Sequence, residues 1–262
     1  MINVPFLIAV VVVQMPLMLA LPVVVGLWIR RRHGVGWRVY LAGGVTFVAS
    51  QVVHLPLNYA LGMLTGRWGV GLLPLPLLAL AAGLSAGTCE QVARWVALRF
   101  MLRRTRGWSQ ALQFGAGHGG FEAIIFGLLA LSTIVSMVAM QLAGTQALGL
   151  SGNSAAQAEQ ALTAFWSAGW YTPVVAGLER AFAITFHIAM SVLVMRAITR
   201  RQAGYLLAAI AAHAAFDAWA VWGSRTLGVL WVELGLAVVA GGALWLIVRL
   251  RETPQDTNPS GA

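Results

Sequence analysis

VPFLIAVVVVQMPLMLALPVVVGLWI, residues 4–29, carries no charge and a single amide, Gln14, before it meets Arg30-Arg31-Arg32-His33. At 1.5 Å of rise per residue this stretch makes about 39 Å of helix, enough to cross a hydrocarbon core about 30 Å thick. It predicts a membrane span ended by a basic cluster, and the pattern recurs along the chain. A second span runs from Val39 to Leu64, with Arg67 beyond it, and a third covers 71–98 and ends at Arg99, Arg103, Arg104 and Arg106. A fourth apolar stretch, Gln110 to Ala143, is long for one span. It either tilts or breaks near Gly115-Ala116-Gly117-His118-Gly119-Gly120, which would make eight spans rather than seven. The fifth span follows Pro173 and ends at Arg196, Arg200 and Arg201; the sixth is 203–223 and the seventh 227–248. Residues 144–172, the most polar internal stretch, read as an extramembrane loop with a short interfacial helix carrying Trp166, Trp170 and Tyr171.

The expected fold is therefore all-α, a polytopic transmembrane helical bundle forming one domain over residues 1–248. Residues 249–262, with two prolines and mixed charge, read as a disordered tail. The first three residues, Met1-Ile2-Asn3, lack the basic flank of a secretory signal, so the first span is expected to be retained.

Composition agrees with this class. Apolar residues make up 59% of the chain and charged residues only 10%, where a soluble domain carries about 25% charged residues. Mean hydropathy is +0.79. The formal charge of +9 does not indicate a nucleic-acid partner, because all 17 basic residues are arginines, most of them clustered between apolar stretches. The partner it indicates is a lipid bilayer, with the plasma membrane as the expected location. The loops after spans one, three, five and seven hold thirteen arginines, and the opposite side holds Arg67 and Arg225. The positive-inside rule then puts the N-terminus outside and the C-terminus in the cytoplasm. The chain has no lysine, which excludes a retinal Schiff base. Cys89 is the only cysteine, so no internal disulfide forms.

Ionisable side chains are costly in hydrocarbon, and those that remain usually face a cavity or one another. Here they recur at helix spacing: Glu90-xxx-Arg94, His118-xxx-Glu122, His187, and His213-xxx-Asp217. Counted from the span ends, Glu90, His118, His187 and His213 all lie roughly 12–15 Å deep on the arginine-rich side. Agreement in depth across four helices points to one shared site. Residues four apart share a helix face, so Asp217 can orient His213 or join its ligand shell, and Arg94 can keep Glu90 ionised. Histidine with carboxylate is the donor chemistry of zinc. Blander readings stand beside this one. His54 lacks a nearby acid and reads as an interhelical hydrogen-bonding group, as does loop-borne His33. Glu90 with Arg94 also fits a structural ion pair, and Glu179-Arg180 near the outer end of span five reads as structural or as part of a lid. Cys89, a thiol in apolar surroundings, reads as inert.

Three segments carry a family resemblance: Phe114-Gly-Ala-Gly-His118-Gly-Gly-Phe-Glu122, Glu179-Arg180-Ala-Phe-Ala-Ile-Thr-Phe-His187-Ile-Ala-Met-Ser191, and His213-Ala-Ala-Phe-Asp217. They resemble the YhfC family of membrane peptidases, related to the PrsW-like and CPBP (CaaX-prenyl protease and bacteriocin-processing) intramembrane proteases. The resemblance covers about residues 40–225. The wider group has a paired-Glu motif with a basic residue one turn on, a Phe-xxx-His or Phe-xxx-Glu motif and a final His-xxx-Asn/Asp motif. Glu90 with Arg94, Phe114 with His118, and His213 with Asp217 match these in turn. The chain departs from the pattern in having one glutamate, Glu90, between Cys89 and Gln91. The resemblance implies Glu90 as general base.

The expected function is hydrolysis of peptide bonds in membrane-anchored substrates. His118, His187 and His213 would hold zinc, with Asp217 or Glu122 as a fourth or supporting group, and Glu90, Arg94 and Glu122 would take part in catalysis. A metal-free variant uses the same residues. The competing classes are a proton-coupled transporter, since buried His and acid chains also relay protons, and a non-catalytic membrane scaffold of the same fold. The arginine distribution makes its own prediction: a reporter fused at Arg103 reads as cytoplasmic and one at Ser154 as external, and the opposite pattern reverses the orientation.

Overall fold

The structure, a computed structural model, describes residues 2–103, 106–145 and 149–251, so the expected tail beyond Arg251 lies outside the described residues. The described residues contain helices and no strand, and seven of the helices are long and apolar enough to cross a membrane. These are α1 (Val4–His33), α2 (Trp37–Ala60), α3 (Leu75–Met101), α4 (Trp108–Ala143), α6 (Tyr171–Thr199), α7 (Ala203–Thr226) and α8 (Val229–Arg249). A further helix, α5 (Gly152–Trp166), lies between α4 and α6. The fold is a polytopic helical bundle. The glycine-rich stretch does not break the fourth span, since α4 is one continuous helix of 36 residues, and the count is seven.

α1 widens to π-helical turns at Val10–Gln14 and Pro16–Ala20. Proline has no N–H to give the carbonyl four residues back, so Pro16 interrupts the α-helical ladder and a wider turn takes its place.

Contacts divide the chain into two units. One comprises Met1–Leu21 and Ala123–Ala181. In it the Asn3 side chain accepts from the Phe6 N–H at 3.1 Å and donates to the carbonyls of Trp166 and Ala168, tying the start of α1 to the end of α5. Trp166 is buried, with Phe6, Val10 and Ile134, and is a core residue rather than the interfacial anchor its sequence position suggests. Trp170 is 60% exposed. Glu179 pairs with Arg180, whose guanidinium lies 5.0 Å over the Phe126 ring.

The other unit comprises Pro22–Glu122 and Phe182–Ala262, and it carries all the residues singled out at the common depth. Its helices approach closely because glycines face backbone. A Cβ on Gly83 of α3 would collide with the Ala214 carbonyl of α7, and one on Gly87 would stand 2.9 Å from the Ile210 carbonyl oxygen. On α4, Gly115 faces the backbone of α6 at Ile188, Gly117 faces the Tyr40 carbonyl of α2, and Gly119 faces the His187 Cβ. These glycines are filled by neighbouring helices. They serve close packing, the usual role of small residues between membrane helices. Trp219 Nε1 donates to the Val232 carbonyl at 3.1 Å across the α7–α8 turn, and Trp108 Nε1 donates to the Ile247 carbonyl at 2.8 Å.

Gly83→Val is expected to lower the thermal unfolding midpoint of the detergent-solubilised protein, since overpacking costs about 1–3 kcal/mol even where atoms can shift. Gly241→Ala on α8, where a Cβ meets nothing within 4 Å, is the control and should leave the midpoint unchanged.

Candidate functional site

Four helices bring one side chain each to a common point. Oε2 of Glu90 on α3 lies 3.0 Å from Nε2 of His118 on α4, 3.9 Å from Nδ1 of His187 on α6 and 3.8 Å from Nε2 of His213 on α7. All four residues are buried. The imidazole centroids stand 5.1 Å apart for His118 and His187, and 5.3 Å for His187 and His213. Aromatic rings line the rest. Phe47 and Phe114 flank His118, and Phe186 contacts both His187 and His213 while stacking on Phe216 at 4.4 Å. The close glycine contacts are what let these rings meet, because Gly119 packs on His187 itself.

The acids distribute themselves differently from their sequence spacing. Asp217 does follow it, with Oδ2 3.4 Å from His213 Nε2 one turn away. Glu122 reaches across to α6, where its Oε2 lies 2.5 Å from His187 Nε2, while its helical neighbour His118 turns to Glu90. Arg94 is fully buried one turn from Glu90. It donates to Gln91 Oε1 and, through Nη2, to His187 Nδ1 at 3.1 Å. Gln91 in turn donates its amide to His213 Nδ1 at 2.7 Å. Guanidinium and amide nitrogens can only donate, so both Nδ1 atoms accept. In this arrangement His187 and His213 therefore carry their proton on Nε2, facing Glu122 and Asp217.

Gln91 and Gln51 are members of the site that charge and spacing did not reveal. Gln91 is fully buried between Arg94 and His213, and Gln51 of α2 donates to Glu90 Oε1 at 3.4 Å. The available signal was an amide in the middle of an apolar span, which is costly unless bonded. Cys89 is a half-buried free thiol.

The donor set suits a divalent metal. Glu90, His118 and His187 offer ligand atoms that all lie within 4.8 Å of one another, and His213 stands just outside that group. Around the imidazoles the site gathers three carboxyl groups, Glu90, Glu122 and Asp217, and one guanidinium, Arg94. If His187 used Nδ1 as a ligand, its Nε2–H would stay on Glu122, and carboxylate–histidine–metal triads have this form. Imidazole with carboxylate is chemistry that zinc accepts readily.

The site is thus a buried carboxylate facing three imidazoles inside a membrane bundle, with a fully buried arginine one helical turn away. The chain belongs to the YhfC intramembrane metalloprotease family, whose model matches residues 17–233. It is 29% identical over 243 residues to a Bacillus subtilis (strain 168) protein named "Uncharacterized membrane protein YhfC", covering 90% of this chain and 93% of that one. No solved structure matches the chain.

Arg94→Met would leave Gln91 Oε1 and His187 Nδ1 buried without their donor. A loss of about 1–3 kcal/mol for each unsatisfied group is expected, read as a large fall in the unfolding midpoint. An unchanged midpoint would mean that Arg94 does not organise the site.

Proposed function

We propose that this protein hydrolyses peptide bonds of membrane-anchored substrates within the bilayer, most simply at the plasma membrane, with the site opening to the arginine-rich side. The observation that carries this reading is the meeting of one carboxylate oxygen with a ring nitrogen of each of three histidines from three other helices.

His118, His187 and His213 would hold a metal, zinc by donor chemistry, with Asp217 beside His213. When bound, such an ion polarises the scissile carbonyl and lowers the pKa of its water to about 7. The chain's own residues do the rest. Glu90 Oε2 accepts the proton of the attacking water and passes it to the leaving amine. Glu122 fixes the His187 ring from one side and Arg94 from the other. Arg94 also sets His213 through Gln91. Phe47, Phe114, Phe186 and Phe216 supply apolar packing that keeps bulk water from the reacting atoms.

A second reading is favoured by the hydrogen bonds on Nδ1 of His187 and His213. With protons on Nε2, these rings act as donors rather than ligands, and Glu90 activates water directly. The two readings differ in metal content and share the catalytic base.

Glu90→Gln keeps shape and is expected to leave the protein folded and inserted while lowering cleavage of a membrane-anchored peptide library by about 10²–10⁴-fold. His118→Ala, His187→Ala and His213→Ala should each reduce zinc per chain in the metal reading, and zinc-free wild-type protein that still cleaves selects the second. Cleavage by Glu90→Gln at the wild-type rate removes Glu90 as base. Protein that neither cleaves nor binds metal, but carries flux under a pH gradient, would mark a transporter instead.

A further inference from the structure

α2 carries Gln51, His54 and Asn58 on one stripe, at spacings of three and four residues, inside a membrane span. Three polar residues in a row are costly in hydrocarbon unless they bond one another. They do, and the series continues at both ends. Ser85 Oγ lies 2.5 Å from Asn58 Oδ1, and Asn58 Nδ2 lies 2.9 Å from His54 Nε2. His54 Nδ1 is 3.1 Å from Gln51 Oε1, and Gln51 Nε2 is 3.4 Å from Glu90 Oε1. The stripe that looked like an isolated interhelical histidine is therefore continuous with the Glu90 carboxylate.

We infer that Ser85, Asn58, His54 and Gln51 form a one-way hydrogen-bond chain that positions Glu90, with His54 held as the neutral Nδ1–H tautomer. The direction follows from its end. Gln51 turns its Nε2 to Glu90 Oε1 and its own carbonyl oxygen to His54 Nδ1, and an amide nitrogen only donates while an amide oxygen only accepts. His54 then needs its proton on Nδ1, which leaves Nε2 bare. Asn58 must donate to that bare nitrogen, and its own oxygen then takes the Ser85 hydroxyl proton. Reversing any link would set two acceptors or two donors against each other. Each bond in such a series polarises the next, so Gln51 is a stronger donor to Glu90 than a lone amide.

The consequence is a division of labour within one carboxylate. Oε1 is held from α2 by Gln51, while Oε2 faces the three imidazoles. Holding Oε1 fixes the plane of the carboxylate and so where Oε2 points. His54 is a positioning residue, acting on the proposed base through Gln51. Its effect on cleavage rests on the peptidase reading, whereas the chain itself does not.

The test uses the whole protein in nanodiscs with ¹⁵N-labelled histidine and ¹³C-labelled glutamate, without added substrate. The His54 signals, identified by their loss in His54→Asn, should be those of a neutral Nδ1–H ring. Gln51→Leu should move the proton to Nε2, because Nδ1–H then has no acceptor, with the Asn58 amide turning over so that its oxygen accepts that proton and its NH₂ donates to Ser85 Oγ. The Glu90 carboxyl resonance should shift in Gln51→Leu and in His54→Gln, whose amide sits at the Nε2 position. It should shift little in His54→Asn, whose amide sits where Nδ1 does and can still donate to Gln51. A wild-type His54 that is Nε2–H or doubly protonated overturns the chain, and so does a Glu90 resonance that is the same in every variant. For cleavage, His54→Gln should lower kcat about tenfold with KM unchanged, and His54→Asn should recover most of it. Equal kcat in His54→Gln and wild type overturns the positioning role. If wild-type protein cleaves nothing while the resonances behave as stated, the peptidase reading fails and the chain stands.

Discussion

A carboxylate buried in a bilayer, costly there as an ion, is the constraint to which the rest of the unit responds. Moving such an ion from water into a medium of low dielectric costs of order 20 kcal/mol in the idealised case and several after relaxation. Glu90 is 5% exposed, so the cost is offset by what surrounds it. One oxygen faces three imidazoles, the other accepts from an amide, and a fully buried guanidinium stands one helical turn away. No single neighbour suffices, which explains why four spans each contribute a histidine or an acid at the same level. Most of these polar groups bond one another in a dense network, with His118 Nδ1 and Arg94 Nε left without a partner, and half of such a network would be worse than none.

That network sets demands on packing. Side chains from α3, α4, α6 and α7 can meet only if the backbones come close, and backbone reaches backbone only where Cβ atoms are missing. Gly83 and Gly87 bring α3 to α7, and Gly115 and Gly119 bring α4 to α6. Without water there is little hydrophobic drive between the helices, so this close contact and the interhelical hydrogen bonds hold the bundle together. The catalytic proposal and the stability of the fold therefore draw on the same few positions.

Much of this was legible in the sequence because depth is a linear property. A span end marked by arginines and a fixed rise per residue place Glu90, His118, His187 and His213 at one level without any knowledge of the fold, and the structure brings all four together. Facing is a property of pairs of helices, and spacing says little about it. His118-xxx-Glu122 shares a face on α4, yet Glu122 bonds His187 on another helix. His213-xxx-Asp217 did pair as spaced. Gln91 and Gln51 escaped notice because amides carry no charge, and His54 because its link to an acid runs through one of them. The glycines of α4 look in the sequence like a possible break in the span, and only the neighbouring helices reveal that they serve close packing.

The hydrogen bonds of Arg94 also define what metal binding would require. Its guanidinium uses the lone pair on His187 Nδ1 and, through Gln91, the one on His213 Nδ1. A cation taking His187 through Nδ1 must displace Arg94 but can keep Glu122 on the opposite ring nitrogen, whereas one taking Nε2 must separate the ring from Glu122. The first route loses one charge-assisted bond and leaves the guanidinium to face the carboxylates. The second removes the proton and its acceptor together. Nδ1 is also the ring nitrogen that faces Glu90, at 3.9 Å, so the first route would keep an ion beside the proposed base. Arg94 thus occupies in the hydrogen-bonded site the role of positive counterion that a metal would take over, and the two cannot hold the same lone pair at once.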